Sequence, residues 1–263
     1  MKILIGSPVR QDEPTFIEYL KGIDKLLVPK DAQVARYFIL NDADPALKKH
    51  LQPHEYEEFN TGDEYITTEQ THHWSPENLN KMSVLRNRLV KKVLDEGYDY
   101  FFMVDSDIIL QQQTLLQLLS DKVDLVANIF WTEGQPGSGM MWSNCWLYDQ
   151  CTYGKEDAER WLKPGVYEVG GTGACFLISR KVLEAGVDYT PIHNIQAFHG
   201  EDRWFCIRAV CAGFKIYIDT HRPVAHLYRP SVYEEYMKIR YGGDKVGNSG
   251  RHKKRVKNKR DRP

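Results

Sequence analysis

The sequence predicts an α/β fold, a single domain with a mostly parallel central sheet flanked by helices. Three observations carry this. Short apolar runs of strand length alternate with segments whose apolar residues recur every three or four positions. Residues 2–7 and 100–104 are largely apolar rather than alternating, as in strands buried on both faces. The order strand, helix, strand, helix through the first half requires crossovers, which place consecutive strands parallel. At 263 residues, the chain is long enough for one large α/β domain or two small ones.

Residues 2–7, bounded by Gly6 and Pro8, form the first expected strand. A helix is expected over 14–27, with Phe16, Leu20, Ile23 and Leu27 on one face. Residues 34–40 form a second strand that runs into the turn cluster Asn41-Asp42-Ala43-Asp44-Pro45. Ser75-Pro76 supplies a helix cap followed by proline at the first helical position. That helix runs through Met82, Leu85, Leu89 and Val93 to about Glu96, and Gly97 ends it. A third strand covers 100–104, a short helix 114–119 and a further strand 123–129.

From 131 to 165 the composition changes to Gly, Pro and Ser with Trp131, Trp142, Trp146 and Trp161. A long, aromatic, irregular insertion is uncommon unless it binds something. Strand pattern returns over 166–179, interrupted by Gly170-Gly171-Thr172-Gly173. A helix over 203–212 and short strands at 215–218 and 223–227 complete a domain of residues 1–230. Residues 231–250 read as a C-terminal helix and linker, and 251–263 as a basic tail.

No run of 18 or more apolar residues exists, so no membrane-spanning helix is expected. The opening apolar stretch is too short for a signal peptide, which gives a cytoplasmic expectation. Five cysteines, an odd number without a Cys-x-x-Cys pair, argue against a zinc site or disulfide framework. Cys175 and Cys206 lie in apolar periodic segments and read as small core residues. The tail from Arg251 to Arg262 holds eight Lys/Arg against Asp261, a net +7 that leaves the rest at −8, given −1 overall. Such a tail is a solvated end or a contact for a polyanion: nucleic acid, a wall polymer or an anionic membrane surface.

The strongest chemical signal is Phe101-Phe102-Met103-Val104-Asp105-Ser106-Asp107. Two carboxylates two residues apart follow a buried strand, where open α/β sheets bind ligands. In an extended segment, residues i and i+2 point the same way, so both carboxylates are expected to face one ligand. Hard cations such as Mg²⁺ and Mn²⁺ take oxygen ligands and bridge phosphates. A solvated turn is the competing explanation. His199-Gly200-Glu201-Asp202 opens a helix, where acids also cap and complement the dipole. His226 ends a short strand, and a lone histidine is more often structural than a ligand. The glycine run at 170–173 fits either a close backbone approach to a ligand or a bulge. Trp142 and Trp146, beside Gly139, Ser143 and Asn144, suit a stacking platform, whereas Trp161 reads as local core. His72 and His73 are adjacent, which argues against shared metal ligation.

In this order the pieces resemble glycosyltransferase family 2 and its relatives with the GT-A (Rossmann-like) fold, over residues 3–228. Residues 3–10 resemble the first strand and nucleotide-binding turn, and Asn41-Asp42 falls where the family reads the base. Arg86-Asn87, residues 100–107, 173–180, Gly200-Glu201-Asp202 and Ala212-Gly213-Phe214-Lys215 match later signatures in sequence. The resemblance implies a nucleotide-sugar donor, with UDP the expected base carrier, and single displacement with inversion. It implies that Pro8, Val9, Arg10, Asn41, Asp42, Arg86, Asp105 and Ser106 bind the donor. Asp107, Asp105 and His226 would hold Mn²⁺ or Mg²⁺. Asp202 would be the general base, with Glu201 orienting it or the acceptor. Trp142, Trp146, Gly171 and Thr172 are the expected acceptor contacts. Two other readings stay open: a nucleotidyltransferase, which shares strand-end acids, and a nucleic-acid or anionic-surface protein with a degenerate transferase fold.

Overall fold

The computed structural model describes residues 1–62, 75–148, 153–193 and 200–242. The expectations on His72, His73, Cys151, His199 and the tail from Arg251 lie outside the described residues. The first half runs β1 (Lys2–Val9), α1 (Glu13–Asp24), β2 (Gln33–Asn41), a 3-10 turn (Pro45–His50), β3 (Glu55–Phe59), α2 (Pro76–Asp95), β4 (Tyr100–Val104), β5 (Ile108–Ile109), α3 (Thr114–Ser120) and β6 (Leu125–Asn128). The second half begins with β7 (Trp131–Glu133), β8 (Met141–Ser143), β9 (Cys145–Trp146), α4 (Lys155–Trp161), β10 (Val166–Val169), β11 (Gly171–Thr172) and β12 (Cys175–Ser179). It ends with α5 (Arg180–Glu184), α6 (Glu201–Cys211), β13 (Ile216–Asp219), β14 (Ala225–His226) and α7 (Pro230–Tyr241).

Eight strands form one sheet in the order β10-β13-β6-β12-β4-β1-β2-β3. β12 and β10 run against the other six, which are parallel. Alternate residues of each central strand feed two separate cores, as the period of two requires. Leu4, Phe101 and Met103 pack with Leu85, Leu89 and Val93 of α2 and Phe205 of α6. Ile3, Ile5, Phe102 and Val104 pack with Phe16, Tyr19 and Ile23 of α1 and Leu115 of α3. Burying each such side chain contributes about 1.5–3 kcal/mol before conformational entropy is counted. Helices therefore lie on both faces, as expected, and α7 lays Val232, Tyr233 and Tyr236 on the α1 side.

The strand pattern over 166–179, interrupted by the glycine run, resolves into separate strands. β10 lies at the sheet edge against β13, while β12 lies between β6 and β4. Residues 170–174 carry the chain across that gap, and Gly171-Thr172 pair with Cys145-Trp146 on the way. Cys175 and Cys206 are buried, as expected. The parallel strands β1, β2, β4, β6 and β13 all end on one edge, the edge at which open α/β sheets accept ligands.

Candidate active site

The chain turns sharply after β4. Asp105 N–H donates to Ala174 O at 2.8 Å, and Ile108 N–H donates to Asp105 O at 3.0 Å. This corrects the extended geometry assumed for the two aspartates: a turn sends them to different partners. Asp105 accepts from Arg86 Nη2 through both oxygens at 3.1 Å. Asp107 faces His226, with Oδ2 3.3 Å from Nε2. Two very short strands create that second contact. β5 and β14 pair antiparallel, placing His226 opposite Ile108, and Leu227 N–H donates to Asp107 O at 2.8 Å. Phe130 and Tyr228 flank the imidazole at ring-centroid distances of 4.6 and 4.7 Å.

Arg86 joins the other acids. It sits on α2 with 1% of its side chain exposed and binds Asp105, Glu201 (3.2 Å) and Asp202. The ring of Tyr189 lies 5.4 Å from the guanidinium carbon. Asn87 and Ser83, one helical face away, fix the Tyr189 backbone through hydrogen bonds of 2.8 and 2.6 Å. Glu201 and Asp202 occupy the first turn of α6, where the helix dipole favours acids. Gly200 enters that helix at φ 129°, a backbone conformation open to glycine. Four carboxylates thus surround one guanidinium and one imidazole. Burial raises Asp105 above the ordinary carboxylate range against the pull of Arg86, and Asp107 and Glu201 add to the rise. Burial likewise pushes Asp202 up to about 7, opposed by Arg86 and reinforced by Glu201 and Asp105.

The glycine run is explained by close approach, but to the protein itself. A Cβ on Gly173 would lie 2.0 Å from Asp202 Oδ2. On Gly171 it would meet the Trp146 ring at 2.4 Å, and on Gly170 the backbone of Leu147 and Tyr148 at 2.4 Å. Gly171 and Thr172 are buried, and Thr172 is bonded to Cys206 and Asn144. Expected as acceptor contacts, they lie beneath Trp146. Trp142 is 48% exposed and meets Tyr153 edge-on at 6.0 Å. Trp146 lies between Gly171 and the Arg203 guanidinium, 5.6 Å from its ring. Trp161 is buried against Tyr153, as its helical setting suggested.

On the β1–β2 side, Pro8 and Val9 are buried at the end of β1 and Arg10 follows, half-buried. Ser106 is buried between the two aspartates. Asn41 is 3% exposed, and its Oδ1 has no hydrogen-bond partner. Asp42 departs from expectation. Its carboxylate accepts from Thr61 N (2.5 Å), Gly62 N (2.8 Å), Thr61 Oγ1 (2.7 Å) and Lys81 Nζ (3.2 Å). Burial would raise it, but these donors hold it well below the ordinary range. Its oxygens clamp the chain after β3. The Arg86 guanidinium, expected at the donor, is buried among carboxylates. Sequence reasoning missed Tyr189, Thr61, Lys81, Asn144 and Thr132, whose partners lie far away in the chain.

No family model matches the sequence, and no curated protein matches it. Solved structures do match its fold. S. aureus TarS 1–349 aligns with TM-score 0.51 and 13% identity, covering 91% of this chain and 64% of that one. The same protein has been solved with UDP-GlcNAc and with UDP. This chain spans just under two thirds of that fragment's length. CMP:2-keto-3-deoxy-manno-octonic acid synthetase, solved with CTP, aligns with TM-score 0.54 and 12% identity, covering 92% of this chain and 100% of that one. At such identities the likeness is one of fold: the chain has a GT-A-like α/β fold, with its acids gathered on the edge of the sheet where the parallel strands end.

Proposed function

We propose that the protein is a divalent-cation-dependent glycosyltransferase that moves a sugar from a nucleotide-sugar donor to an acceptor hydroxyl. One observation carries the reading. Asp105-Asp107, Glu201-Asp202 and His226, more than a hundred residues apart at the extremes, meet at one edge of the sheet. Four carboxylates against one buried arginine leave excess negative charge that a divalent cation would relieve.

The residues fit such a cation. Adjacent ligands on an octahedral ion with bonds of about 2.1 Å lie about 3 Å apart. Asp107 Oδ2 and His226 Nε2 lie 3.3 Å apart. Among the described residues no three His, Cys, Asp or Glu side chains form a metal cage. Asp107 and His226 would hold the ion, with Asp105 nearby but tied to Arg86. Such an ion binds by one or two protein ligands plus substrate phosphates and water. When bound, the cation supplies charge stabilisation to the departing diphosphate.

Asp202 is the general base. Its Oδ1 is held by Arg86, which fixes the carboxylate against the Gly173 backbone. It takes the proton from the acceptor hydroxyl as that oxygen bonds to the anomeric carbon, and the carbon–oxygen bond to the nucleoside diphosphate breaks. Attack opposite the leaving group inverts the anomeric centre. Pro8, Val9, Arg10, Asn41 and Ser106 line the edge where the nucleotide would lie, and the exposed Trp142 offers a flat apolar face to a sugar ring, while Trp146 is covered by Gly171 and Arg203. TarS, of the same fold, binds UDP-GlcNAc and UDP, which supports a UDP-sugar as the first donor to try.

The test is a nucleotide-sugar panel with Mn²⁺, Mg²⁺ or chelator, read by nucleoside diphosphate release. A UDP-sugar is expected to turn over, chelator to stop it, and Asp107→Ala and Asp202→Asn each to abolish it. Chelator-insensitive turnover would overturn the cation, and intact transfer in both variants would overturn the roles. The CTP-bound neighbour keeps a nucleotidyltransferase in view; pyrophosphate release from a nucleoside triphosphate would replace the transferase reading with that one.

A further inference from the structure

We infer that Thr132 is a positioning residue for the cation site: its hydroxyl holds the His226 ring so that Nε2 faces Asp107. The inference rests on the reading of Asp107 and His226 as cation ligands. His226 Nδ1 lies 2.8 Å from Thr132 Oγ1, while Nε2 lies 3.3 Å from Asp107 Oδ2. Phe130 and Tyr228 fix the plane of the imidazole, but flat apolar contacts do not tell a ring nitrogen from a ring carbon. A half-turn of the ring about its bond to Cβ would keep both aromatic contacts and send Nε2 away from Asp107. The Thr132 hydroxyl selects against that half-turn. A hydroxyl both donates and accepts, so it holds the ring whichever nitrogen carries the proton. The His226 side chain is 13% exposed, which limits the water available to replace the lost partner. Orientation of a ligand imidazole through its second nitrogen is how outer-sphere groups tune metal sites.

Thr132 is itself well anchored. It lies in β7 opposite Trp142 of β8. The backbone N–H of the next residue, Glu133, donates to Tyr228 Oη at 2.8 Å. The Glu133 carboxylate accepts from Arg229, and from the N–H groups of Gly137 (3.2 Å) and Gly139 (2.7 Å). The root of the β7–β8 hairpin is thus bolted to the segment that carries His226. Its turn, residues 134–140, is exposed throughout.

The test measures Mn²⁺ binding directly on the full-length protein freed of metal, by calorimetry and by the electron paramagnetic resonance of free Mn²⁺. Thr132→Val keeps the shape and removes the hydroxyl; Thr132→Ser keeps the hydroxyl; Thr132→Ala removes it with different packing. Circular dichroism melting accompanies each variant. Val and Ala are expected to weaken Mn²⁺ binding about 10-fold or more, and Ser to stay near the wild type. Saturating Mn²⁺ is expected to restore most of kcat in the Val variant, so the defect appears as a raised Mn²⁺ requirement. Unchanged Mn²⁺ affinity in Val or Ala overturns the inference, as does a Ser variant as weak as Val. If the wild type binds no Mn²⁺, or His226→Ala binds it as well as the wild type, the reading of the cation site falls and this inference falls with it.

Discussion

Asp202 shows how the site's electrostatics set its working range. Its carboxyl is pushed up to about 7 by burial first, against Arg86, and then by Glu201 and Asp105. A general base works only when deprotonated, so kcat/KM is expected to fall with decreasing pH below about 7 and to level off above it. A pH–rate profile at saturating Mn²⁺ checks this; a flat profile from pH 5.5 to 8 removes Asp202 as the base. Stability is expected to move the other way. A carboxyl raised in the folded state holds a proton that the unfolded chain has already released between its ordinary range and about pH 7, so its contribution falls as pH rises through that window. Asp121, raised to about 7 by burial and by Asp219, adds the same sign. The acids were legible in the sequence because Asp105 and Asp107 follow an apolar strand and Glu201-Asp202 open a helix. Arg86 was singled out too, but not its pairing with them: it is 116 residues from Asp202, and no local pattern reports a pairing at that distance. The same holds for Thr132, 94 residues from His226.

Elements with strong periodicity were readable, and those defined by their neighbours were not. β4 begins and ends where its apolar run does. α1 stops at Asp24, three residues before the apolar pattern, because Leu27 and Val28 are exposed beyond the helix rather than packed under it. β3 has the sequence Glu-Tyr-Glu-Glu-Phe, an acidic edge strand with little apolar content to signal it. β5 has two residues, too short for any period, yet with β14, which falls inside the strand expected at 223–227, it brings Asp107 to His226. The interruption between β10 and β12 was legible from its glycines, but what those glycines approach was not. Its geometry makes a sharp prediction. Gly173→Ala places a methyl group on the Asp202 carboxylate, 2.0 Å from Oδ2 before any adjustment. The crossover or the base must move, and a displacement of about 1 Å costs about 100-fold in rate. Transfer is expected to drop by that order while the purified variant keeps its circular dichroism spectrum and its Mn²⁺ affinity. Wild-type kcat in Gly173→Ala would show that the Gly173–Asp202 contact is not part of the working geometry.

At the scale of the whole molecule, nucleotide and cation are expected to bind as one unit, because the proposed site divides them between two halves of the chain. The nucleoside side is built from β1, β2 and the turn after β4. The cation side needs β14, which enters late and pairs with β5 in a small sheet of their own. A ligand that touches both halves stabilises the fold by its binding free energy in excess over the unfolded chain. At 100 times Kd that is about 2.7 kcal/mol. At about 2–4 °C per kcal/mol for a chain of this size, the melting temperature is expected to rise by about 5–10 °C. UDP with Mn²⁺ is expected to give that shift, whereas UDP with chelator or Mn²⁺ alone gives a small fraction of it. Asp107→Ala is expected to reduce the UDP–Mn²⁺ shift to that of UDP alone, since it removes the residue through which the cation couples β5 to the nucleotide. Equal shifts for UDP with and without Mn²⁺ would mean that the nucleotide is held without the cation, and the acids after β4 would then need another purpose. A larger shift with CTP than with UDP would instead move the protein toward the nucleotidyltransferase reading. The melting experiment separates these outcomes without an acceptor in hand.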